Sequence, residues 1–230
     1  MRIITWNCQM AFRKKSDFLF SKQPDIAIVP ECSKRDSQDF CPEGYSSLWF
    51  GENLNKGVAI FCLSTWKVSS IEAPKHRWVI PLEIKGPEDF TLIAVWSWVE
   101  KMNYSDYVGR VRTALDENPK WFDGGSVVIA GDFNSNCVWD HITTGGHAAL
   151  VKEINDRGLV SSYHVHYDEV QGLETRPTFH MNRKAHLPFH IDYVFIPEKW
   201  IKRISRLSVG EHAEWSSHSD HCPIIVDLDS

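Results

Sequence analysis

The sequence predicts an α/β sandwich, mixed β-sheets covered by helices, and two observations carry that expectation. Eight short runs rich in β-branched and aromatic residues alternate with weaker helical stretches, and near residues 57 to 98 strand-like runs follow one another directly. The runs are RIITWN, DIAIVPE, GVAIFCL, WVIPLEI, FTLIAVWSW, SVVIAGD, HIDYVFI and CPIIVDL, each of strand length and bounded by Gly, Pro, Asn or Asp. Helices are expected at AFRKKSDFLFSK after the first strand, at YSDYVGRVRTALDENPKWF in the middle, and at HAALVKEINDRG, which stops at Gly158 as helices commonly do.

The chain has 230 residues, 43% hydrophobic and 24% charged, enough for one substantial core. No Gly/Ser or Pro-rich linker, charge block or repeat divides it, so a single domain over 1–230 is expected. The net charge of −5 argues against broad, sequence-blind affinity for nucleic acid. A carboxylate-rich metal site would lower the total by itself, and local basic groups such as RKK, Arg13 to Lys15, are free in principle to face a phosphate backbone. MRIITWN lacks a signal-length apolar core and no run approaches a membrane span, so a cytoplasmic location and no membrane partner are expected. Six cysteines without CxxC spacing point to reduced thiols rather than disulfides or a zinc ribbon, and Cys8, Cys32 and Cys222 read as small buried fillers.

Polar groups gather at the strand ends. Period-two alternation puts Ala27, Val29 and Glu31 on one face, and Val128, Ala130 and Asp132 on one face with Asn134 two further on. It likewise aligns His190, Asp192, Val194 and Ile196, while Asn7 follows Ile3 and Thr5. SDHCP then places Asp220 and His221 at the mouth of the last strand. Carboxylates brought together repel unless a cation lies between them, and an all-oxygen set of Glu31, Asp132, Asp220 and the amides of Asn7 and Asn134 suits Mg2+ or Mn2+ rather than zinc. Magnesium shares its shell with substrate phosphate, which points to phosphate-ester hydrolysis. His221 is the obvious base for water, and Asp192 the candidate that orients it.

TWN with Asn7, PEC with Glu31, GDFN with Asp132 and Asn134, HIDYVF with Asp192 and SDH with Asp220 and His221 resemble, in order and rough spacing, the endonuclease/exonuclease/phosphatase superfamily. Its members include deoxyribonuclease I, exonuclease III-type abasic-site endonucleases and inositol polyphosphate 5-phosphatases. The resemblance spans essentially the whole chain. It implies a four-layered α/β sandwich, two mixed β-sheets packed face to face with helices on the outside, and a Mg2+-dependent phosphoesterase. Carried over, it implies that Glu31 is the metal ligand assisted by Asn7, that Asp132 and Asn134 contact nucleophile or phosphate, that Asp192 orients His221, and that His221 is either the base or a phosphate ligand. Asp220, beside His221 in the chain, is expected at the metal or a metal-bound water.

The chain departs from the family where many members carry a His or Tyr near the end of the central strand: LIAVWSWVEK offers Trp96 and Trp98. An indole cannot protonate a leaving alkoxide, so Tyr104, Tyr107, His190 or a metal-bound water must replace that acid, and Arg110 and His190 are candidate phosphate contacts. GDFNSNCVWD and SDHCPIIV look more like deoxyribonuclease I-like proteins than inositol phosphatases, which makes a nuclease acting on DNA the leading expectation. A phosphatase of small phosphorylated substrates such as phosphoinositides, or a non-catalytic metal-binding relative, are the alternatives.

Each residue alone has a plainer meaning. Asn7 and GDFN are ordinary turn formers, Glu31 reads as a solvated loop carboxylate, and Trp96 and Trp98 share a face with Leu92 and Ala94 as core residues do. His164, His166, His180, His186 and His218 read as non-catalytic.

Overall fold

In SVVIAGD, Val128 and Ala130 point one way while Val127 and Ile129 point the other, and both rows are apolar, so the strand needs cover on both faces. That requirement, repeated in most of the strands, produces a layered molecule. The computed structural model describes residues 1–73, 76, 78–98, 104–142 and 145–229, without the side chains of Tyr104, Ser105 and Ile142.

In chain order the strands are β1 (Arg2–Thr5), β2 (Ile26–Cys32), β3 (Tyr45–Asn53), β4 (Lys56–Leu63), β5 (Lys67–Ser70), β6 (Val79–Lys85), β7 (Phe90–Trp96), β8 (Val127–Asp132), β9 (Leu159–Ser161), β10 (Phe179–His180), β11 (Pro188–Phe189), β12 (Asp192–Pro197), β13 (Ile204–Val209) and β14 (Ile224–Leu228). Two six-stranded sheets form, in the orders β13-β14-β1-β2-β4-β3 and β5-β6-β7-β8-β12-β9, with β10 and β11 as a separate pair. Each large sheet is antiparallel except at its middle, where β1 pairs with β2 and β7 with β8 in parallel.

The sheets face each other over a core that includes Ile3, Ile28 and Ile60 from the first and Leu92, Ala94, Val128, Ala130 and Val194 from the second. Helices Tyr104–Glu117 and His147–Asp156 cover the outer face of the second sheet, where Val111, Leu115, Leu150 and Ile154 meet Ile93, Ile129 and Phe195. Phe12, Leu19 and Trp215 cover the outer face of the first against Ile4, Ala27 and Phe61. Four layers result. The six cysteines are free thiols, with Cys8, Cys32 and Cys222 buried as fillers. Among the described residues no helix is long and apolar enough to cross a membrane.

Two local features set the end of the sandwich where the polar tips gather. At Glu31 the strand bulges: Pro30 stands opposite Val58 and Cys32 opposite Gly57, so Glu31 is the extra residue, and its φ is 62°. Alternation therefore fails there as an expectation. Cys32, not Glu31, continues the outer row of Ala27 and Val29, and Glu31 is re-aimed. At Gly131 the chain adopts φ of 147°, and a Cβ would lie 1.8 Å from the Val95 carbonyl oxygen of the neighbouring strand. Only glycine permits β8 to approach β7 this closely next to Asp132.

Gly131→Ala should destabilise the fold by more than about 2 kcal/mol, measured by urea unfolding. A variant within about 0.5 kcal/mol of wild type would show that the β7–β8 contact tolerates a side chain.

Candidate active site

The parallel middles of the two sheets bring their polar ends to one edge. In the second sheet Trp96 stands opposite Asp132, and Asp132 opposite Asp192. Because Val128, Ala130 and Val194 face the other sheet, Asp132 and Asp192 continue those rows at the rim. In the first sheet the same edge carries His221 before β14, Asn7 after β1, Glu31 in β2 and Lys56 at the start of β4.

Asp132, fully buried, is the hub. Its Oδ2 accepts from Asn7 Nδ2 at 2.9 Å across the sheet interface and from Asn134 Nδ2 at 2.9 Å, while Oδ1 accepts from the Asn134 backbone N–H at 2.9 Å. Asn134 takes φ of 49° to fold back in this way, and its amide also donates to the Ser97 carbonyl at 3.0 Å. Asp192, equally buried, accepts from His221 Nδ1–H at 2.8 Å through Oδ2, and among the described residues its Oδ1 has no partner. Ligand atoms of Asp132, Asp192 and His221 lie within 4.8 Å of one another.

Residues 178–180 tie these tips together. Thr178 Oγ1 accepts from the N–H groups of Ile191 and Asp192, both at 3.0 Å, and its carbonyl accepts from Cys222 N–H at 2.7 Å. Phe179 bridges His221, and His180 N–H donates to the Asp220 carbonyl at 2.7 Å. Ser219 Oγ donates to the Asn7 carbonyl and accepts from His221 N–H, which fixes SDH against the end of β1.

Burying this set moves its proton equilibria. The Asp132 carboxyl is raised, first by burial and then by the charge of Asp192. For His221 burial favours the neutral ring, but Asp192 and Asp132 outweigh it and push the imidazole up to about 10. The neighbouring carboxylates thus favour the imidazolium over the neutral ring. Asp220, half-buried, is raised by burial, with the Glu31 charge acting in the same direction and His221 opposing it.

Several expected residues sit differently. Asn7 donates its Nδ2 to Asp132 and its oxygen accepts from Gln9 N–H at 3.0 Å, so it braces a carboxylate. Asp220 reaches the rim, with Oδ2 accepting from Gln9 Nε2 at 2.7 Å. His190 is not brought to the cluster: β12 begins only at Asp192, and the His190 ring is buried against Tyr163 and Tyr193, donating to the Arg176 carbonyl at 2.8 Å. Burial lowers its pKa, and 3% exposure leaves it no access to substrate. Arg110 belongs to the helix Tyr104–Glu117 on the outer layer, and among the described residues no contact joins it to the cluster. Of RKK, Lys15 turns inward to the carbonyls of Cys8 and His218, Arg13 lies beside Asp36 while half-exposed, and Lys14 is exposed. Trp96 is 1% exposed and packs on Trp78, with ring centroids 4.9 Å apart, as a core residue.

Lys56, Gln9 and Thr178 escaped the sequence reading. Each is a single polar residue at a turn or strand end, with no spacing that separates it from solvated loop residues.

The sign of the His221 shift gives a test in chelator. Its folded pKa is raised above the unfolded value of 6.5, so its contribution to stability is complete below 6.5 and is lost as pH rises through about 10. Wild-type melting temperature should fall over that window more steeply than that of His221→Gln. Parallel curves would overturn the charged assignment.

No family model matches the chain, and no curated protein matches it. Solved structures do. A 3′ phosphatase, NExo, from Neisseria, bound to a product DNA hairpin, is similar over 100% of both chains at 19% identity, with a TM-score of 0.74. The AP endonuclease LMAP from Leishmania major is similar over 100% of this chain and 87% of its own at 13% identity, with a TM-score of 0.74. Humanized TDP2 of D. rerio is similar over 100% of this chain and 99% of its own at 14% identity, with a TM-score of 0.73. At these identities the likeness is one of fold, and the chain has the fold of the endonuclease/exonuclease/phosphatase proteins.

Proposed function

We propose that this protein is a divalent-metal-dependent phosphodiesterase that hydrolyses DNA. The carrying observation is the buried Asp132–Asp192–His221 cluster, braced by two asparagine amides at the rim of a fold shared with DNA-processing enzymes. The residues fit a hard cation. Glu31 and Asp220 supply carboxylate oxygens at the open side of the rim, and Asp192 Oδ1 is buried without a partner among the described residues. Mg2+ or Mn2+ held by Glu31 and Asp220 would polarise a non-bridging phosphate oxygen.

The chain's own groups divide the remaining work. Asp132, with its proton affinity raised and its lone pairs aimed by Asn7 and Asn134, takes the proton of the attacking water. The His221 imidazolium, oriented by Asp192, donates to a phosphate oxygen as negative charge builds up. Asn134 positions water and phosphate beside Asp132. Six unpaired thiols fit a reducing, cytoplasmic setting.

Labelled duplex DNA, with and without an abasic site, should be cleaved in Mg2+ or Mn2+ and left intact in chelator. His221→Ala should lower kcat by about 10²–10³ and Asp132→Asn by about 10²–10⁴. Glu31→Gln should raise the metal concentration needed for half-maximal rate. Failure of wild type on DNA, with turnover of a phosphoinositide or another small monoester, would replace the nuclease by a small-substrate phosphatase. Metal binding without turnover of any phosphoester would make the chain a binding protein.

A further inference from the structure

Hydrolysis of a phosphodiester leaves two charge problems on opposite sides of phosphorus. The attacking water must lose a proton, and the departing oxygen must carry negative charge until solvent protonates it. The rim groups answer both in a row. Strand order places His221, Asn7, Glu31 and Lys56 successively along the first sheet, and Asp192, Asp132 and Trp96 successively along the second. Contacts of β14 and β1 with β12, of β1 and β2 with β8, and of β2 with β7 set the two rows face to face. Asp192 and His221 occupy one end, Asp132 with Asn7 and Asn134 the middle, and Glu31, Lys56 and Trp96 the other end.

At that far end the position beside Asp132 is filled by an indole with no acidic proton to give. Among the described residues, the cation there is Lys56. Its Nζ lies 3.3 Å from Glu31 Oε1, 5.1 Å from the Trp96 ring centroid and 5.9 Å from that of Trp98. Glu31 takes one donor at a distance long for a charge-assisted bond, leaving two N–H groups of the ammonium for another acceptor. The two indoles lie under the ammonium and Glu31 pairs with it, which together hold it at the rim. At 30% side-chain exposure it is reachable from the mouth.

We infer that Lys56 is the catalytic residue that stabilises the leaving oxygen, a role the Trp96 position cannot supply. The inference rests on the phosphodiesterase reading. The water oxygen forms its bond to phosphorus as the bond to the departing oxygen breaks. The electron pair stays on that oxygen, Lys56 donates a hydrogen bond to it and keeps its own proton, and solvent completes the alcohol. Tyr107 is the competing donor. Its phenol is raised by burial and by Asp132, which makes it a poorer acid and ties it to the middle of the row.

The test uses paired oligonucleotides, one with the natural bridging oxygen and one with a bridging sulfur in place of the departing oxygen. Sulfur leaves without help. Lys56→Met should lower kcat on the oxygen substrate by about 10²–10³ and on the sulfur substrate by less than about 10-fold. Lys56→Arg should recover part of the difference, and Tyr107→Phe should lower both equally or neither. Equal losses of Lys56→Met on the two substrates, or no loss on either, would overturn the assignment, as would a sulfur-specific rescue that follows Tyr107→Phe. Lys56→Gln, checked for a wild-type melting temperature, repeats the comparison if the methionine variant folds poorly. Wild type inactive on both substrates would instead overturn the phosphodiesterase reading, and this inference with it.

Discussion

One buried carboxylate constrains the rim. Asp132 lies between two sheets with no exposure, where an uncompensated charge would cost several kcal/mol. It is tolerated because three N–H donors reach it, one from Asn7 on the opposite sheet and two from Asn134 on its own strand's extension. The imidazolium of His221 supplies countercharge, and Asp192 holds that ring in place. Each partner depends on the spacing of the sheets, so the apolar filling between them, with Ala94, Val128 and Ala130 near this end, tunes the polar cluster. Packing and catalysis are the same constraint here.

Part of the backbone strain collects at the cluster, where Glu31, Asn134 and Gln9, which bonds Asp220, are at positive φ. Regular strands cannot deliver seven polar groups to one place, because alternation sends every second side chain away. Bulges and left-handed residues re-aim the exceptions. Such conformations cost of order 1–3 kcal/mol each and persist where surrounding bonds over-determine them. The Gln9 side chain, joined to Asp220 and Arg183, is one such bond.

What the sequence revealed divides along physical lines. The eight apolar runs all became strands, most of them covered on both faces, while β14 and the end of β6 are covered on one. β3 and β13 were not legible: YSSLWFGEN is half-exposed and ISRLSV is a polar edge, so neither shows a clean pattern. The helix Lys34–Asp39 is six charged or polar residues held by the Ser33 cap, whose hydroxyl accepts from Asp36 N–H. At the site, Asp132 and Asp192 followed from alternation. Glu31 reached the rim for a different reason, since a bulge has no signature in PEC. His190 was misplaced because alternation was extended two residues beyond the start of β12. Lys56 was invisible, being one lysine before a glycine, and only the fold sets it over Trp96.

Moving a cation from the second sheet to the first changes what the active site depends on. A donor on β7 would be rigidly fixed to Asp132 by adjacent ladder bonds, whereas Lys56 belongs to β4, beside Glu31 of the same sheet, and meets Trp96 across the sheet interface. Its place is set by Glu31 and two indoles, so a cation exchanged at Glu31 and a substrate entering the mouth both act on the same ammonium. In the proposed reaction His221 and Lys56 place positive charge at the two ends of the row, each beside its own carboxylate, with Asp132 between them.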